Sequence, residues 1–203
     1  MFETTRVKLA ILTGLSSAAL VAAGCGGNDA ATVQAVGGDA TTSVAAATRS
    51  DFNAADVEFL QMMYPHHAQA VEMAKLVPGR TENAELIALA RAVEQAQAPE
   101  MRQFSTLLVS FGEPEPTEDG GHAGHGGMQG MMSPEQMVAL GLASGDAFDE
   151  KWMTMMIEHH QGAIAMAETE LAQGVNADAK QLAQAIITAQ RTEIDQMRGM
   201  LGQ

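Results

Sequence analysis

The sequence predicts an all-α bundle of four long helices built from a duplicated helical hairpin. Three observations carry this. Almost no segment alternates apolar and polar residues with period two, aromatic residues make up only 4% of the chain, and the chain matches itself at a constant offset, with His66-His67 lying over His159-His160.

The N-terminus reads as a targeting segment. Arg6 and Lys8 precede an apolar run from Leu9 to Ala23 that is interrupted by Thr13, Gly14, Ser16 and Ser17. A run of about 15 residues falls short of the roughly 20 that a bilayer span needs and has the layout of a secretory signal peptide. Ala22, Ala23 and Gly24 before Cys25 resemble a bacterial lipobox, in which the cysteine is acylated and becomes the new N-terminus. Cys25 is the only cysteine, so no intrachain disulfide can form. Lipidation accounts for it, and ordinary cleavage near Ala23 is the alternative. Residues 1–24 are therefore expected to be the signal peptide of an exported, lipid-anchored protein. Residues 25–50, rich in Gly, Ala, Thr, Ser and Val, are expected to form a flexible tether.

The folded part is expected over 51–203, the size of one domain. The first hairpin (51–112) pairs a helix from about Asn53 to Val77, stopped by Pro78-Gly79, with a second from Thr81 to Phe111. Glu82 and Glu85 of the second suit the positive end of its dipole, and Pro99 should kink it. Residues 113–132 form a Pro-, Gly-, His- and Met-rich linker. Ser133-Pro134-Glu135-Gln136 reads as a capping box with proline at the first helical position, opening a short helix over 133–144. The second hairpin (145–203) has a helix from Asp146 to Gln173, ended by Gly174, and another from the cap Asn176 to Met200. The self-match spans both helices of each hairpin: Leu89 falls on Leu182, Gln97 on Gln190, Glu100 on Glu193 and Gln103 on Gln196. Each hairpin alone is too thin to bury its apolar face, so the two should pack as a bundle with pseudo-twofold symmetry.

Eleven basic against 25 acidic residues give a net charge of −14, and loss of Arg6, Lys8 and Glu3 with the signal peptide takes it to −15. Such a surface repels nucleic acid and anionic lipid and gathers cations, although solubility alone explains it equally well. Membrane contact is expected only through the N-terminal anchor.

The chemistry lies in the repeated Met-Met-x-x-His-His helix. At 100° per residue, Met62, His66 and Met73 fall within about 40° of one another, as do Met155, His159 and Met166. A second stripe, Met63, His67, Ala70 and Ala74, is matched by Met156, His160, Ala163 and Ala167, and its small residues suit close helix packing. Thioether and imidazole ligands select copper(I), with silver as a mimic, over hard cations. Methionine needs no deprotonation to bind and survives oxidising surroundings better than a thiolate. All six histidines lie either in these pairs or in the linker, where His122, His125, Met128, Met131 and Met132 offer an accessory site on a backbone expected to be too flexible to need them for packing. Gln97, Glu100, Gln190 and Glu193 are candidates to accept the free ring N–H of His66 or His159. Pro65, standing where Glu158 stands in the other copy, should make the two copies unequal.

These residues resemble the domain of unknown function 305 family, whose members carry Met-x-Pro-His-His and Met-Ile-x-His-His-x-Gly-Ala-x-x-Met-Ala segments. Here they stand as Met63-Tyr-Pro65-His66-His67 and Met156-Ile-Glu-His159-His160-Gln-Gly162-Ala163-Ile-Ala-Met166-Ala167. The resemblance covers roughly Asp51 to Leu201. It implies a ferritin-like four-helix fold and, for the CopM-like copper-resistance members, periplasmic copper binding.

Other functions fit less well. A di-iron oxidase requires Glu-x-x-His on two helices, whereas the residues three before the histidines are Met63, Tyr64, Met156 and Ile157. A zinc hydrolase would place its histidines at i, i+4, and adjacent histidines point about 100° apart. The sequence is thus expected to encode a metal-binding protein and no enzyme. The competing reading is a structural or partner-binding bundle at the cell envelope whose methionines and histidines are core residues.

Overall fold

The computed structural model describes residues 49–117 and 128–203, and the expected signal peptide, Cys25, most of the tether, His122 and His125 lie outside them. The described residues form five helices and no strand: α1 (Ala54–Lys75), α2 (Ala84–Phe111), α3 (Pro134–Gly141), α4 (Asp146–Gln173) and α5 (Ala177–Met200). None of these helices is long and apolar enough to cross a membrane.

The boundaries follow from local chemistry. Asn53 accepts the N–H groups of Ala55 and Asp56, and Asp56 returns a bond to the Asn53 N–H, closing a capping box at α1. Asn83 and Asn176 cap α2 and α5 in the same way but without the return bond. The second helix therefore starts at Ala84 and not at Thr81, because Asn83 offers the better acceptor for the exposed N–H groups. Ser133 and Gln136 make the expected box at α3, with Pro134 in the first turn. Pro65 and Pro99 are both accommodated within continuous helices.

The two hairpins, α1 with α2 and α4 with α5, meet mainly through α1 and α4, while α3 leans on α4. Helices α1 and α4 run antiparallel. The start of α1 (Phe59, Leu60, Met63) packs with the end of α4 (Ala163, Ala167), and the end of α1 (Ala70, Met73, Ala74) packs with the start of α4 (Phe148, Trp152, Met155, Met156). The core is accordingly divided in two. One half takes Leu86, Leu89 and Val93 of α2 with Ile194 and Met197 of α5; the other takes Phe104, Leu108 and Phe111 of α2 with Ala183, Ile186 and Ile187 of α5. The alanines of the second stripe are buried as the sequence suggests: Met63 shares one apolar cluster with Ala163 and Ala167, and Met156 the other with Ala70 and Ala74. Trp152, fully buried, spends its indole N–H on the Met73 carbonyl at 2.9 Å, tying α4 to α1.

A polar latch closes one end of the bundle. Asp56, buried at the start of α1, accepts the N–H groups of Val175 and Asn176 at 3.0 and 2.8 Å, reaching across to the α4–α5 turn. Burial opposes its charge, but the bonds from Asn176, Asn53, Glu170 and Val175 hold its carboxyl below the usual carboxylate range. Glu170, also buried, is pushed up to about 8 by burial and by the adjacent Asp56, with Lys180 opposing. Of the two neighbouring carboxyls, Glu170 thus keeps its proton more readily and Asp56 its charge. The sign follows: Glu170 binds its proton more tightly in the folded state, so its contribution is full below about pH 4.5, the value of an unfolded glutamate, and is lost as pH rises to about 8. Glu170→Gln, which keeps a neutral donor in place, should remove this dependence. Chemical denaturation at pH 5 and pH 9 should show wild type losing about 1–3 kcal/mol relative to the variant across that interval.

Candidate metal centre

Between the two apolar halves lies a single polar layer supplied by all four long helices. Helix α1 contributes His66 and His67, α4 contributes His159 and His160, α2 contributes Gln97 and Glu100, and α5 contributes Gln190 and Glu193. All four histidines are 0% exposed. Four imidazoles wholly removed from water at the middle of a small bundle are costly, and packing does not require them.

The histidines divide into two kinds. His66 and His159 face each other across the α1–α4 seam with ring centroids 3.8 Å apart and planes inclined by 44°. His67 and His160 instead turn outward to the second helix of their own hairpins. The His67 Nε2–H donates to Glu100 Oε2 at 2.9 Å and the His160 Nε2–H donates to Glu193 Oε2 at 2.6 Å. The two glutamates therefore do serve histidines, but His67 and His160, not His66 and His159 as expected. The reason is the helical screw: adjacent histidines diverge by about 100°, and only the second of each pair faces its hairpin partner. Gln97 and Gln190 are buried in the same layer, yet both side-chain amide atoms of Gln97 and Oε1 of Gln190 have no hydrogen-bond partner.

The protonation pattern leaves ligand lone pairs inside. A carboxylate or carbonyl oxygen can only accept, so each imidazole bonded to one carries a proton on Nε2, and a ring kept neutral presents Nδ1 as a free acceptor. His66 donates Nε2–H to the Gln129 carbonyl at 3.3 Å, and the Nδ1 atoms of His66, His67 and His160 are all buried and unpartnered. Neither ring nitrogen of His159 has a partner. Burial, reinforced by the neighbouring His67, lowers His66 to about 3. Burial and the other three histidines hold His159 well below its ordinary value. His67 is also lowered by burial, with Glu100 opposing. Neutral imidazoles with unused lone pairs are the form that binds a soft or borderline metal ion without first losing a proton. Among the described residues no three His, Cys, Asp or Glu side chains converge, so a donor set of more than two there would draw on groups of other kinds, thioethers among them.

The methionines fall around this layer unequally. Met73 and Met155, equivalent to the two ends of the predicted stripes, are both buried in one half of the core, while Met166 packs at the edge of the other and Met62 is partly exposed. Met63 and Met156 are fully buried packing residues beside the alanines.

The end of the linker departs from expectation. Met132 is 5% exposed and belongs to the core with Ala70, Met73 and Leu140, so its backbone is not free of packing duties; only Met128 and Met131 keep partial exposure. Residues 128–132 form a strap across the α1–α4 seam. The Gln69 amide grips the Met132 backbone twice, donating to its carbonyl at 2.9 Å and accepting its N–H at 2.7 Å. Gly130, at φ +83°, lies so close to α4 that a Cβ there would stand 2.7 Å from the Glu158 carbonyl oxygen, and a Cβ at Gly162 would overlap the Gln129 carbonyl. Gln69 and Gly162 occupy equivalent positions in the two copies of the repeat. One copy grips the strap and the other makes room for it, so this mismatch was the available signal. The strap also makes the copies unequal at the histidines, since His66 gains the Gln129 carbonyl and His159 gains nothing. Pro65, the expected source of the inequality, sits beside it.

Two outcomes follow from the layer's energetics. Gln97→Leu should stabilise the metal-free protein by about 1 kcal/mol in urea denaturation, because it removes a buried amide with no partner. The depressed histidines mean that the unfolded chain binds protons more readily below about pH 6.5. Metal-free protein should therefore lose stability as pH falls from there toward 3, measured as a falling Tm, and a His66→Leu/His159→Leu variant should lose less.

Comparison with known proteins agrees with this architecture. The family profile of Domain of unknown function (DUF305) matches residues 56–201. Among solved structures, a DUF305 protein from Streptomyces coelicolor is 31% identical with a TM-score of 0.66, covering 73% of this chain and 92% of its own. A DUF305 fragment from Deinococcus radiodurans is 31% identical with a TM-score of 0.67, covering 74% and 97%. CopM in its Cu(II)-bound form is 34% identical with a TM-score of 0.62, covering 71% and 94%, and CopM also matches in Cu(I)-bound and silver-bound forms. No curated protein matches the chain. With the profile spanning both hairpins and the solved relatives sharing the helical architecture, the chain belongs to the DUF305 family.

Proposed function

We propose that this protein binds a soft metal ion, copper(I) first and silver(I) as its mimic, on the extracytoplasmic side of a membrane, and serves copper tolerance, storage or handling without catalysis. The observation that carries this reading is the facing pair of buried, neutral imidazoles, His66 and His159, with unpartnered ring nitrogens at 3.8 Å centroid separation. His67 and His160 add further buried Nδ1 atoms, and we assign Met73 and Met155 as buried thioethers of the same soft donor set. Met62 and Met166, both partly exposed, and Met63 and Met156, fully buried, are the remaining thioether candidates. Glu100 and Glu193 act on the metal indirectly, fixing the tautomer and raising the basicity of His67 and His160.

Support from relatives is of two kinds. CopM binds Cu(I), Cu(II) and silver in its solved forms, at identities of 30–34% to this chain. The Streptomyces coelicolor relative is described as a candidate secreted protein, which fits the export signal read at Arg6 to Gly24 and the lipid anchor at Cys25. The acidic surface fits cation accumulation. In the linker, His122 and His125 with Met128 and Met131 would form a weaker accessory site, and Met132 is withdrawn from it by its burial.

The test is titration of the purified domain with copper(I) against a competing chelator, beside a variant carrying alanine at His66, His67, His159 and His160. Wild type should withdraw copper(I) from the chelator and gain roughly 3 kcal/mol of stability or more when metal is at a hundredfold excess over its Kd. The variant should do neither. Equal, weak competition by both proteins would leave the structural or partner-binding bundle as the better account.

A further inference from the structure

The His66–His159 pair has no exposed surface, so a metal ion bound there must pass something that moves. Helices α1 and α4 are bound to each other through both halves of the core and through the Trp152 bond, which makes the seam itself a poor door. The strap is held far more lightly. Its contacts are one long hydrogen bond from His66, the Gln69 amide grip, and a glycine-on-backbone approach at Gly130 and Gly162 that interlocks no side chains; only Met132 is anchored in the core. Such a segment opens at lower cost than the helices it covers.

Outside the strap lies a groove bounded by Tyr64, Pro65 and Gln69 of α1, Met101 of α2, Met131 of the strap and Met137 of α3. Pro65 and Gln69 flank His66 on α1, so the groove runs along the helix that carries His66, and the strap residues Met131 and Met132 separate it from the α1–α4 seam. Three thioethers from three different segments line it, each partly exposed. Met101 and Met137 stand outside the repeated motif and are not needed for the core. Met137 does pack against its margin, as a flexible thioether can while its sulfur stays accessible.

We propose that a soft monovalent cation reaches the buried histidines through this groove, captured first by Met101, Met131 and Met137 and admitted when the 128–132 strap lifts from Gly162. The inference rests on the reading that the histidine pair binds soft metal. Lifting the strap releases the bond to the Gln129 carbonyl and uncovers the His66 ring, while Met131 travels with the strap and can carry the ion inward. Thioethers exchange a soft ion among themselves without proton release, so each transfer needs only a neighbouring sulfur or nitrogen.

The experiment uses copper(I) presented on a chromogenic chelator and the full chain without its signal peptide. Gln69→Leu, at a half-buried position that tolerates the change, removes the grip on Met132. Met101→Leu/Met137→Leu removes two capture sulfurs while preserving volume. Modification of the His66 ring by diethyl pyrocarbonate in the metal-free protein reports strap opening, because the strap covers that ring, whereas the Met132 amide loses its own acceptor in the variant. The expected result for Gln69→Leu is faster modification of His66, with copper uptake and release both accelerated roughly five- to tenfold, the population change from losing the grip on Met132, and affinity nearly unchanged. The double methionine variant should take up copper several-fold more slowly, with the same final affinity. Unchanged uptake in Gln69→Leu despite faster His66 modification would overturn the strap as the door, as would unchanged modification itself. Wild-type uptake rates in the methionine variant would overturn the groove as the route. Absence of tight copper(I) binding by wild type would instead sink the functional reading on which this route depends, and it shows in the equilibrium titration before any rate is measured.

Discussion

Everything in this bundle is arranged around the contact between His66 and His159 at the crossing of α1 and α4. Two imidazoles at 3.8 Å with no water and no counter-charge between them can coexist only while both stay neutral. That condition sets the surroundings. Apolar clusters above and below exclude solvent, and the glutamates that would attract a proton to the layer are turned to the flanking histidines. An apolar pair at this crossing would pack at lower free-energy cost, so stability alone does not call for the arrangement.

The duplicated hairpin is a simple way to build such a layer. A pseudo-twofold axis through an antiparallel helix crossing brings a residue near its own repeat equivalent, so one histidine per hairpin yields a facing pair without a second element having to evolve its partner. The same symmetry places Met63 in one cluster with Ala163 and Ala167, and Met156 in the other with Ala70 and Ala74. Where the repeat breaks, function enters. Gln69 and Gly162 are equivalent positions that differ in chemistry, and both serve the single strap, which can occupy only one side of a twofold axis.

A second use of buried polarity lies at the end of the bundle, where Asp56 binds the α4–α5 turn beside Glu170. Glu170 and the histidine layer respond to pH in opposite senses, the one weakening toward alkali and the other toward acid, and Asp56 acts in the same sense as the histidines. The metal-free bundle is therefore bracketed from both sides by groups that lie inside it and not on its acidic surface.

Much of this was legible in the chain itself. Helices α4 and α5 start and stop where Gly174 and Asn176 place them, and α3 where Ser133, Pro134 and Gln136 place it, because caps and breakers act on the residues next to them. The constant offset between His66-His67 and His159-His160 predicted the duplicated hairpin and the candidate ligands for the same reason: helical period and sequence repeat are local properties. Partner choice was not legible. Which histidine meets Glu100, that Met132 is core and not linker, and that the Gln129 carbonyl covers His66 all depend on how helices rotate and where a loop returns. Spacing along one helix determines which residues share a face, and the packing of the other helices alone decided what each face meets.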